Sequence, residues 1–62
     1  MKVSEGLGGE KIYDLGDISL WVDQSGFIAI KMTEPHGDPV ELNEHEALAL
    51  ADLLRQLAAE IA

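Results

Sequence analysis

Apolar and polar residues alternate through the middle of the chain. Residues 18–22 read Ile-Ser-Leu-Trp-Val and residues 27–32 read Phe-Ile-Ala-Ile-Lys-Met, with a short polar stretch between them. A period of two is typical of strands that bury one face. Gly26 stands where a three-residue hairpin loop needs a left-handed residue. The pattern therefore predicts a hairpin, with Val22 opposite Ile28.

This pairing predicts which side chains share a face of the sheet. Trp21 and Ala29 lie opposite each other on one face. The other face is apolar throughout and is expected to carry the core. Its members are Ile18, Leu20, Val22, Ile28, Ile30 and Met32.

Two further short strands are predicted outside the hairpin. One covers residues 11–15, and the other covers residues 40–42 after a connection rich in proline and glycine, residues that end strands and reverse the chain. Residues 1–10 hold three glycines and few apolar side chains, a composition that is costly in entropy to order. A flexible N-terminal arm is therefore expected there.

The last third of the chain predicts a helix from about Glu44 almost to Ala62. Alanine and leucine, both strong helix formers, dominate it. Asn43 is a good N-cap, and Glu46 supplies the other half of a capping box. One stripe of the helix is apolar and is expected to cover the sheet: Leu50, Leu53, Leu54, Leu57 and Ile61.

Taken together, these elements predict an α+β fold. It is an antiparallel β-meander of three to four strands, with one C-terminal α-helix packed on one face. Residues 11–62 are expected to form a single ββββα domain behind the arm of residues 1–10.

The size of the chain limits its core. A chain of 62 residues buries only about 60% of the surface that its unfolded form exposes. It has no cysteine, so regular packing or association with another chain must compensate.

A cytoplasmic location is expected from the absence of cysteine. Neither an N-terminal apolar signal nor a stretch of about 18 apolar residues is present, so no membrane partner is expected.

Candidate catalytic groups are few. His36 and His45 are the only histidines, the residue type most often used as a general acid or base, and no serine lies in a Gly-x-Ser-x-Gly context. No enzyme activity and no cofactor are expected. Glu34 and Asp38 flank His36 in the proline-bounded loop, but no metal-binding spacing is present. The loop is interpreted as a solvated turn.

Acidic residues dominate the second half of the chain, and the net charge is −8. From Met32 to Leu54 there is no Lys or Arg. A charge of this sign repels phosphate groups, so no nucleic-acid partner is expected, and a protein with a basic surface is the natural partner. The acidic face predicted to bind it consists of Glu34, Asp38, Glu41, Glu44 and Asp52.

In size, acidity and compactness the chain resembles the phage-encoded anti-CRISPR inhibitors and related DNA mimics. The resemblance is carried by the composition of the whole chain and by its base-free acidic stretch. It implies a non-enzymatic inhibitor that occupies the nucleic-acid groove of a target such as a CRISPR effector complex, with carboxylates imitating phosphates.

The alternative is a small homodimeric accessory or regulatory protein whose acidity serves only solubility. Its contact would use the uncovered sheet face around Trp21, with Tyr13, Leu15 or Phe27 beside it according to the register of the first strand, or Leu48 on the outer side of the helix. The sequence is compatible with a monomer and with a homodimer.

Overall fold

Four strands and one helix follow one another in a computed structural model that describes residues 1–33 and 35–62. These elements are β1 (Lys2–Glu5), β2 (Lys11–Leu15), β3 (Ile18–Val22), β4 (Ile28–Met32) and α1 (Glu44–Ile61). The strands form one antiparallel sheet in the order β1-β2-β3-β4, and α1 contacts β3. The predicted α+β fold, a meander with a C-terminal helix on one face, is confirmed.

The β3–β4 hairpin has the predicted register. Its apolar pairs are Ile18 with Met32, Leu20 with Ile30 and Val22 with Ile28. Because successive side chains in a strand point to opposite faces, these six residues lie on the face that α1 covers in part. Trp21 and Ala29 pair on the other face.

The Asp23 carboxylate and Gly26 fix the conformation of the loop in this hairpin. The Asp23 carboxylate accepts hydrogen bonds from the backbone N–H groups of Ser25 and Phe27. Gly26 donates its N–H to the Asp23 carbonyl and has a φ of 83°, a conformation that residues with a side chain rarely adopt. Asp23 therefore closes the loop from both its backbone and its side chain.

The N-terminal residues form a strand, so the prediction of a flexible arm is wrong for residues 2–5. β1 pairs along its whole length with β2, from Lys2 opposite Asp14 to Glu5 opposite Lys11. Cross-strand neighbours of opposite charge favour this pairing at both ends.

The glycines that suggested flexibility instead close the β1–β2 turn. Gly6 donates its N–H to the carbonyl of Glu10 at 2.8 Å, and Gly9 donates to the carbonyl of Gly6 at 3.0 Å. Gly9 has a φ of 84°, which only glycine adopts without strain. The conformational freedom of glycine is used here to make a tight turn.

The predicted fourth strand at residues 40–42 is also wrong, and the fourth strand of the sheet is β1, which lies at the edge beside β2. Residues 35–43 form an irregular connection from the sheet to α1. Val40 and Leu42 pack against the core cluster, while Glu41 between them is exposed. Burial of alternate residues produced the strand pattern, but this segment pairs with no strand of the described chain.

The helix begins at the predicted cap. The Asn43 side chain accepts the backbone N–H of Glu46 at 2.8 Å, and the Glu46 carboxylate accepts the backbone N–H of Asn43 at 3.0 Å. Two otherwise unpaired backbone groups are satisfied reciprocally in this capping box.

The core is small and lies between α1 and the middle strands. Among the described residues, the buried side chains are Tyr13, Ile18, Leu20, Leu53 and Leu57. Ile30 and Met32 share the covered face of the sheet but remain 47% and 57% exposed. A helix is about 10 Å wide with its side chains, whereas four strands spaced about 4.8 Å apart span roughly 19 Å. One helix is thus too narrow to cover this face.

Truncating a core leucine is expected to lower the free energy of unfolding much more than truncating an exposed leucine on the same helix. Leu57→Ala should lower the free energy of unfolding by about 2 to 5 kcal/mol, because it leaves a cavity against the sheet. Leu48→Ala, at a position that is 59% exposed, should change it by less than about 0.5 kcal/mol. Urea denaturation followed by circular dichroism measures both, and equal effects would show that the helix faces are assigned wrongly.

Removal of the cap tests the start of the helix. Asn43→Ala is expected to cost about 0.5 to 2 kcal/mol, because the first backbone N–H groups lose their side-chain acceptor. Asn43→Ser is the matched control, since serine caps helices equally well. Thermal unfolding of the three proteins should rank the alanine variant lowest, and the serine variant should stay close to the original.

Candidate functional site

An exposed acidic segment leads from the connection into the first turn of α1. It comprises Asp38, Glu41 and Glu44, which are all exposed. Glu41 is turned outward because Val40 and Leu42 on either side of it pack against the core cluster. Within residues 1–33 and 35–62, neither Glu41 nor Glu44 makes a side-chain hydrogen bond or an ion pair. Glu34, which was predicted to belong to this face, lies outside the described residues.

The local fold holds this segment in place. Val40 and Leu42 anchor the chain to the core cluster just before the cap, and the Asn43–Glu46 box fixes the entry into the helix. Glu44 is the first helical residue, where the positive end of the helix dipole favours a negative charge. Glu46 also lies in this turn, but its carboxylate is engaged by the cap.

Asp52 stands apart from the acidic segment. Its carboxylate accepts a hydrogen bond from the Arg55 guanidinium at 2.9 Å, and both side chains are about three-quarters exposed. At a rise of 1.5 Å per residue, Asp52 lies about 12 Å further along the helix axis than Glu44. This distance exceeds the screening length of about 8 Å at physiological salt. Asp52 therefore adds less than Glu41 or Glu44 to the field of the segment.

Net charge is unequally divided between the two halves of the chain. Residues 1–33 contain five acidic residues against three lysines, which lie on the strands β1, β2 and β4. Residues 34–62 contain seven acidic residues against Arg55 alone. Most of the net negative charge therefore belongs to the connection and the helix rather than to the sheet.

Tyr13 was one of three residues predicted as possible neighbours of Trp21, and for Tyr13 this placement is wrong. Tyr13 pairs with Leu20 on the covered face and is only 7% exposed. Continuing the β2–β3 register places Ile12, not Tyr13, opposite Trp21. The pairing of the first two strands, which the alternation pattern alone leaves open, decided which face the tyrosine takes.

Trp21 and Leu48 lie on opposite sides of the molecule. Trp21 is partly buried on the sheet face opposite the one that α1 covers. Leu48 is exposed on the side of α1 that faces away from the core. These two residues therefore belong to separate surfaces.

A groove of about 710 Å³ runs between the start of β1, the end of β2 and the first turns of α1. Its titratable lining includes Asp14, His45 and Glu46. Asp14 accepts a hydrogen bond from the Ser19 hydroxyl, and Glu46 belongs to the helix cap. Both carboxylates of the groove thus have structural partners. The described part of the chain contains no cluster of three or more potential metal ligands.

Part of the sheet face that was predicted to be buried is exposed. Ile30 and Met32 were assigned to the core, because their positions alternate in register with buried residues. Their exposure could have been predicted from the predicted elements, because one helix is narrower than a sheet of four strands.

Comparison of the chain with protein-family models, with curated proteins and with solved structures finds no match. No helix among residues 1–33 and 35–62 combines the length and the apolar character needed to cross a lipid bilayer.

The charge distribution predicts that the protein does not bind nucleic acid. Phosphate contacts require clustered lysine and arginine, and the lysines of the sheet are interspersed with acidic residues. Fluorescence anisotropy with labelled single-stranded and double-stranded DNA and RNA at physiological salt should show no binding at micromolar protein. A micromolar dissociation constant would contradict the prediction.

Proposed function

We propose that this protein is a non-enzymatic inhibitor that binds a basic, nucleic-acid-binding surface of another protein through its acidic segment. One observation carries the proposal: Glu41 and Glu44 are exposed, have no partner among the described residues, and stand on a segment anchored to the core. Carboxylates held in this way present negative charge much as a phosphate backbone does.

Order in the segment supports this function because it reduces the cost of binding. Each side chain or loop that must be immobilised at an interface weakens association. Here the backbone on both sides of Glu41 is already held by Val40 and Leu42, and Glu44 lies on the helix. Several charges of one sign on an ordered support speed the encounter with a basic groove more than a single exposed charge does.

The resemblance to anti-CRISPR inhibitors suggests the kind of target. We propose a cytoplasmic RNA-guided effector complex, whose nucleic-acid channel is lined with basic residues. In the alternative, an accessory protein that acts as a homodimer, the same acidic residues serve only solubility, and reversing them leaves the activity unchanged.

Charge reversal at equal net charge tests the proposal. The variant Glu41→Lys/Glu44→Lys is compared with Asp17→Lys/Glu60→Lys, which changes the net charge by the same amount at exposed sites outside the segment. The first variant should slow association with a purified RNA-guided effector complex at least about tenfold and restore its binding to target DNA. The second should stay within about threefold of the original.

Two checks make the result interpretable. Circular dichroism of both variants must show the original helix content, because Lys at position 44 opposes the helix dipole. Inhibition by the original protein should also weaken as salt is raised, since the attraction is electrostatic. Equal inhibition by the two variants, or inhibition that does not depend on salt, would overturn the proposal.

A further inference from the structure

The hydrogen bonds of the hairpin reveal which backbone groups of β4 are unused. Thr33 donates its N–H to the Asp17 carbonyl at 2.7 Å, and Asp23 donates to the Phe27 carbonyl at 2.8 Å. Both pairs continue the β3–β4 register, and hydrogen-bonded pairs in an antiparallel ladder recur at every second residue. The odd-numbered residues of β4 therefore bond to β3.

The even-numbered residues of β4 direct their backbone N–H and C=O groups away from the sheet. They are Ile28, Ile30 and Met32, which together are called the β4 edge. β4 is the last strand in the sheet order, and within the described residues no backbone hydrogen bond from outside the hairpin reaches this edge.

Two of these three residues also carry exposed apolar side chains. Ile30 is 47% exposed and Met32 is 57% exposed, both on the face that α1 covers only in part. Edge strands are usually protected by charge, proline or a covering segment, but the one charged side chain of β4, Lys31, points to the other face. Strand β1, the other edge, is short and begins and ends with charged residues. Unpaired backbone and exposed apolar side chains thus coincide at β4.

The total exposed surface is large for a chain of this mass. The chain exposes 4668 Å², whereas a compact monomer of 6.7 kDa is expected to expose about 3,900 Å². The excess of roughly 750 Å² belongs to the whole chain, and Ile30 and Met32 of β4 are two of the exposed large apolar residues that contribute to it.

We propose that two copies of this chain associate through β4 and form one continuous eight-stranded antiparallel sheet. The two-fold axis passes beside Ile30, so that Ile30 lies opposite Ile30 of the second copy and Ile28 opposite its Met32. Every outward-facing backbone group of the edge then gains a partner. Both helices lie on the same face of the joined sheet, on either side of a shared apolar strip of Ile30 and Met32.

Self-complementarity favours a second copy over an unrelated partner. A two-fold interface must match a surface with itself, and in this register Lys31 lies opposite Ala29 of the second copy. The two copies of Lys31 therefore do not face each other, and the apolar residues of the two strands meet on the face that α1 covers only in part. Because each copy carries a net charge of −8, screening by salt should strengthen the dimer. This dependence is opposite to that expected for binding to a basic partner, and the dimer does not depend on the proposed function.

Sedimentation velocity from 1 to 500 µM, at low and high salt, measures the association directly. The expected result is a concentration-dependent shift to twice the monomer mass, at lower concentration when salt is raised. Amide hydrogen exchange of the unaltered protein supplies the signature of the edge. The Ala29 and Lys31 amides should be protected at all concentrations, whereas those of Ile28, Ile30 and Met32 should gain protection only as dimer forms.

Substitutions distinguish this edge from the other exposed apolar sites. Ile30→Lys should raise the dimer dissociation constant at least about 100-fold, because the change occurs twice in a two-fold interface. Val3→Lys is the matched control, since Val3 is 51% exposed on the opposite edge strand, and it should leave the constant within about threefold. Trp21→Ala and Leu48→Lys should also leave the dimer dissociation constant within about threefold.

Three outcomes would overturn the proposal. They are a monomer at every concentration, a dimer that survives Ile30→Lys but is lost in Trp21→Ala or Leu48→Lys, and a dimer in which the edge amides stay unprotected. Should Ile30→Lys fail to fold, the exchange pattern of the unaltered protein decides between the proposal and the other surfaces.

Discussion

The contact between one helix and the middle of the sheet is the interaction on which the rest of the structure depends. Leu53 and Leu57 of α1 are buried together with Ile18 and Leu20 of β3, and burial of apolar side chains is the main favourable term in folding. A chain of 62 residues builds only a small core, and this contact supplies most of its buried side chains. The cap, the turns and the acidic segment bury little themselves, so their positions rely on this contact.

The same contact explains why the molecule leaves apolar surface uncovered. A single helix centred on β3 reaches the neighbouring strands only in part, and the side chains of β4 furthest from the hairpin loop stay exposed. Natural edge strands are generally protected against pairing. β4 carries one charged side chain, Lys31, on the face away from the core, and pairing with a second copy would cover Ile30 and Met32 on the other face.

The acidic segment and the β4 edge make different demands on the fold. Glu41 and Glu44 need only an ordered support and exposure to solvent, which Val40, Leu42 and the Asn43 cap provide. The edge depends on backbone geometry. The odd-numbered residues of β4 bond to β3, so the backbone N–H and C=O groups of Ile30 point outward. A dimer built on the edge would carry two acidic segments, and like charge between the copies would make its formation sensitive to salt.

Local patterns in the sequence were sufficient for the hairpin, the helix and its cap. Gly26 with the alternation around it determines the β3–β4 register, and Asn43 with Glu46 determines where α1 begins, because each is an interaction between residues close in the chain. The tertiary structure alone decided that residues 2–5 form a strand, that Val40 and Leu42 do not, and that Tyr13 is buried. These outcomes depend on which strand finds which partner and on how far one helix extends across the sheet. Both are set by competition for a limited core, which the alternation of residues does not encode.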